Sequence, residues 1–123
     1  MKEQFVPYEI AIKLKEKGFD EPCLAWSTEY GEYILVETKE GEDSNTFRGI
    51  SIPLWQQVID WFRVKYNLDV QAFSALTHND KKPVEWIGWI TKIPEINLEA
   101  NELKADTFEE AREQIILQAL TLI

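Results

Sequence analysis

Apolar positions recur at helical spacing in three places along the chain and at alternating spacing in four. The first stretch, PYEIAIKLKEKGFDEP over residues 7–22, reads as a short helix. Pro7 suits its first helical position, and Gly18 suits a left-handed C-terminal cap with apolar Phe19 behind it. CLAWSTEY (23–30) and YILVETKE (33–40) are rich in aromatic and branched residues and flank Gly31-Glu32, a pair fit for a tight turn, so they predict an antiparallel hairpin. Residues 40–52, EGEDSNTFRGISI, read mainly as a long loop, within which TFRGI could form a short strand.

The plan then repeats. PLWQQVIDWFRVKYNLD (53–69) predicts a second helix that starts at Pro53 and stops at Asn67, with Leu68 taking the place Phe19 takes after the first. At 100° per residue Trp55, Val58, Ile59, Phe62 and Tyr66 form one stripe, with Gln56, Asp60 and Arg63 opposite. That stripe belongs to the core. Leu54 and Trp61 widen the apolar arc to roughly 160°, beyond what packing on a sheet requires, so Trp61 on the flank beside Lys65 is the expected exposed aromatic.

DVQAFSAL (69–76) and VEWIGWITKI (84–93) predict a second strand pair around the turn THNDKKP. After a polar stretch from Pro94 to Asp106, TFEEAREQIILQALTLI predicts a third helix. Thr107 and Glu110 form its capping box, and Phe108, Ala111, Ile115 and Leu122 mark its apolar face. The order αββαββα predicts a single α+β domain over residues 1–123, with a four-stranded, mainly antiparallel sheet packed with three helices. The order of strands within the sheet is open.

Two strands carry an unusual pattern. In VEWIGWITKI, Val84, Trp86, Gly88 and Ile90 face one way and Ile87, Trp89 and Ile93 the other, so both faces are apolar. An antiparallel sheet with one wet face alternates apolar with polar instead, so this strand is either covered twice or offers tryptophan to a partner. CLAWSTEY likewise sends Leu24, Trp26 and Tyr30 one way and the small Cys23, Ala25 and Ser27 the other. Trp61, Trp86, Trp89, Trp26 and Tyr30 are therefore the candidate interaction surface, and at least partial dimerisation is expected.

Charge narrows the choice of partner. Thirteen basic residues against 22 acidic ones give a net charge of −9, and the basic residues do not gather, which disfavours nucleic acid bound through its phosphates. The acids do cluster, six between Glu29 and Asp43 and seven between Glu95 and Glu113. Solvated loops and an exposed helix face account for that, and a surface imitating nucleic acid toward a basic enzyme is the sharper alternative. A lone cysteine, no signal-like N-terminal stretch and no apolar run near 20 residues predict a cytoplasmic chain with no membrane span.

The three helix blocks PYEIAIKLKEKGFDEPC, PLWQQVIDWFRVKYN and TFEEAREQIILQALTLI resemble a group of short proteins from Bacteroides-group gut bacteria and their phages and mobile elements. The resemblance covers the helices alone and carries no activity, substrate, cofactor or catalytic residue. It implies a cytoplasmic bacterial or phage accessory protein.

Catalytic constellations are sparse. Neither GxxxxGK[ST] nor GxGxxG occurs, so no cofactor is expected, and one cysteine with one histidine cannot furnish a zinc site. A small hydrolase would need Cys23 to meet His78, or Glu109 and Glu113 to act as a carboxylate pair one helical turn apart. GEDSN offers oxygen ligands without the spacing of a calcium loop. The expected function is a non-catalytic interaction or regulatory factor acting on another protein or a second copy of itself.

Overall fold

A computed structural model describes residues 4–27, 33–35, 49–75, 85–92 and 101–123. Its elements run α1 (Tyr8–Glu16), β1 (Ala25–Ser27), β2 (Tyr33–Leu35), β3 (Ile50–Ile52), α2 (Trp55–Tyr66), β4 (Leu68–Ala75), β5 (Glu85–Lys92), β6 (Asn101–Ala105) and α3 (Phe108–Thr121). The chain gathers into two compact units, Met1–Val58 and Ile59–Ile123, and the boundary falls inside α2.

In the first unit Pro7, extended at φ −62° and ψ 156°, is the N-cap of α1 and not its first residue. The helix closes as its sequence predicts. Gly18 is left-handed at φ 92°, its N–H donates to the Lys15 carbonyl, and the Phe19 N–H reaches back to the Leu14 carbonyl at 2.9 Å. Phe19 and Leu14 are both buried, which completes the apolar contact of this cap. Helix α1 lies against β3, and the core of the unit gathers Val6, Ile10, Ala11, Leu14, Ala25 and Ile52.

The predicted hairpin of β1 and β2 forms, with Ala25 opposite Leu35 and Trp26 opposite Ile34. Its turn, Gly31-Glu32, lies outside the described residues. On the other side of β1 runs β3, which pairs Ala25 with Ile52 and Ser27 with Ile50 and makes the sheet order β2-β1-β3. The small side chains of β1 form its inner face: Ala25 and Ser27 are fully buried, whereas Trp26 is half-buried and Leu24 exposed. Trp26 lies over Gly49, where an added Cβ would come within 2.5 Å of the indole Cε3.

In the second unit β4, β5 and β6 form an antiparallel sheet with β5 at its centre. Asn67 is left-handed at φ 56°, as the predicted stop of α2 requires, and Leu68 behind it is buried. Helix α3 packs on one face of this sheet. Thr107 caps it, its Oγ1 accepting from the Glu110 N–H at 3.1 Å. Ala111, Ile115, Ile116, Ala119 and Leu120 are buried, while Leu122, expected on the apolar face, is 49% exposed past the last turn.

The α+β class and the three helices hold, but the four-stranded sheet does not: among the described residues there are two three-stranded antiparallel sheets, in the order αβββαβββα. The difference lies in β3 and β6. The strand β3 is only three residues long, inside a stretch that composition marks as loop. The strand β6, NELKA, alternates Glu102 and Lys104 with Leu103 and Ala105 at the edge of its sheet, so two of its five side chains are charged and its apolar signal is weak.

Candidate functional site

The register of the second sheet settles which side chains share a face. Opposite residues run Val70–Ile90, Ala72–Gly88–Leu103 and Ser74–Trp86–Ala105 on the side of α3. Val70, Gly88 and Ile90 are buried there. Gly88 sits so close to the helix that an added Cβ would lie 2.7 Å from the Ile115 Cβ and 3.1 Å from the Ala111 carbonyl oxygen. Trp86 meets the Phe108 ring edge-on at 5.6 Å, and the Arg112 guanidinium stands 5.0 Å from the centroid of the same ring. Trp86 is thus a packing residue against α3.

The opposite face is built differently. Gln71, Trp89 and Glu102 form one rank across the three strands, and Phe73, Ile87 and Lys104 form the next. Phe73 is 39% exposed, and Ile87 and Trp89 are half-buried, so three apolar side chains from two strands meet on a face that α3 does not cover. Gln71, Glu102 and Lys104 around them are exposed. The indole N–H of Trp89 donates to the Thr91 Oγ1 on the same strand, which satisfies its only polar atom and fixes the ring along β5.

The other expected surface residues lie elsewhere. Trp61 is not exposed: only 5% of its surface is accessible, and its ring packs 5.2 Å from those of Phe62 and Tyr66. The Lys65 ammonium lies 5.6 Å from the Trp61 ring and 5.7 Å from the Tyr66 ring, so the cation on the flank caps an aromatic cluster. The large apolar residue of α2 left in solvent is Val64, at 79%. Trp26 is in the first unit, half-buried over Gly49, and Tyr30 is outside the described residues.

Phe73, Glu102 and Lys104 also lie on this face and were not among the expected residues. For Phe73 a signal was present, because alternation in DVQAFSAL places it with Asp69 and Gln71 and away from Val70 and Ala72. A lone aromatic on an otherwise polar strand face is that signal.

Among the described residues the candidate chemistry gains no support from geometry. Cys23 is buried, and its Sγ–H donates to the Glu21 carbonyl oxygen at 3.3 Å, the ordinary state of a structural thiol. His78 and the GEDSN segment are outside the described residues. Glu109 is exposed and Glu113 half-buried, with Arg112 between them on α3. Burial pushes the Arg112 pKa below its ordinary value, while the carboxylates of Glu109 and Glu113 oppose that shift by favouring the cation. These acids therefore serve a neighbouring cation. Among the described residues no group of three or more His, Cys, Asp or Glu side chains could hold a metal ion, and no helix is long and apolar enough to cross a membrane.

The first unit contains a cleft of about 460 Å³ lined by Ala11, Lys15, Gly18, Phe19, Asp20, Gly49 and Ser51. Lys15 and Asp20 are exposed, so its charged groups keep much of their hydration. Comparison of the chain with protein-family models, with curated proteins and with solved structures gives no match.

Proposed function

We propose that this is a small acidic interaction protein of the cytoplasm, an accessory factor of phage or mobile-element origin that works by binding protein and performs no chemistry. One observation carries the reading: the sheet face turned away from α3 joins Phe73, Ile87 and Trp89 into an apolar centre ringed by Gln71, Glu102 and Lys104. An apolar, aromatic centre inside a polar rim is the composition of a protein contact surface. Asp69 and Glu85 lie toward the two ends of the same face, so three carboxylates and the Lys104 ammonium surround a centre that is apolar. The apolar centre favours a protein contact made by packing over a nucleic-acid mimic that draws in a basic enzyme.

The test is affinity capture from a native host lysate with the full chain, beside Phe73→Asp and, as a control for surface charge, Val64→Asp. The wild-type chain and the Val64 variant should retain the same proteins and the Phe73 variant should lose them, with unchanged far-UV circular dichroism throughout. Retention by Phe73→Asp would remove the face from the function. Capture that collapses steeply between low and moderate salt would favour the nucleic-acid mimic instead.

A further inference from the structure

We draw no further inference here: the strongest candidate, the apolar patch of Phe73, Ile87 and Trp89 on the face of the β4–β5–β6 sheet turned away from α3, belongs to the contact surface already described, and nothing in the structure shows what covers it.

Discussion

Replacing Gly88 with alanine adds one methyl group where β5 and α3 approach most closely. The new Cβ would lie 2.7 Å from the Ile115 Cβ, 3.1 Å from the Ala111 carbonyl oxygen and 3.1 Å from the Leu103 Cδ1. Only the leucine methyl can turn away, since the other two atoms are fixed to the helix backbone or one bond from it. Relief therefore requires α3 to move off the sheet by several tenths of an ångström along a row that includes Ala111 and Ile115, both buried.

Overpacking of this kind costs about 1–3 kcal/mol, and exchanging glycine for alanine within a strand returns about 0.5–1 kcal/mol of backbone entropy. The net loss is about 1–2 kcal/mol. Urea unfolding followed by tryptophan fluorescence measures it well, because Trp86 and Trp89 flank the site on β5, and a slope near 1.5 kcal/mol/M converts the loss to a midpoint lower by roughly 1 M. Truncating Ile115 to valine in the same chain should not recover the loss, because the obstructing atom is the Cβ that valine keeps. A Gly88→Ala chain as stable as the wild type would refute the reasoning, since it would mean that α3 rides higher over β5 than these distances allow.

Two further outcomes follow from burial and capping. Thr107→Ala removes the hydroxyl that accepts from the Glu110 N–H and should lower stability by about 1 kcal/mol, read as a shift in the urea midpoint, while Thr107→Ser should restore it. Phe62→Ala empties a fully buried position of α2 and should cost about 3–5 kcal/mol, whereas Val64→Ala two residues on, 79% exposed, should change stability by less than about 0.5 kcal/mol. Equal effects at these two positions in thermal unfolding would contradict the assigned face of the helix.

The helices were legible because their ends are written in residue chemistry. Gly18 and Asn67 take the left-handed conformation that few other residues accept, and Thr107 stands where a cap hydroxyl is needed. The hairpin of β4 and β5 was legible because both strands are long and aromatic or branched. What failed was inference from quantity of apolar surface. The wide apolar arc of α2 predicted an exposed Trp61, but Trp61 is held among Phe62, Tyr66 and the Lys65 ammonium, and periodicity cannot report a cluster that a helix builds from its own neighbours. Likewise β1 buries its small Ala25 and Ser27 and leaves Trp26 half-buried and Leu24 exposed, so side-chain size does not report which face of that strand is the inner one. The contact face was half legible: alternation in VEWIGWITKI assigns Trp89 and Ile87 to one side, but Glu102 and Lys104 reach that face from β6, whose sequence reads as a loop.

Two small sheets have twice as many open rims as one larger sheet. Among the described residues β2, β3, β4 and β6 each pair along one side only, and a strand in that position can recruit a foreign chain by backbone hydrogen bonding and seed a fibril. The chain counters this in two ways. The β3 rim of the first sheet is three residues long, too short to template an ordered ladder, and the β6 rim carries a carboxylate and an ammonium two residues apart, which a stacked, in-register assembly would have to align with their own kind at every step. The charge pattern that hides β6 as a strand therefore also guards it against uncontrolled growth, and neutralising Glu102 and Lys104 together should show first as a tendency to form thioflavin-positive aggregates.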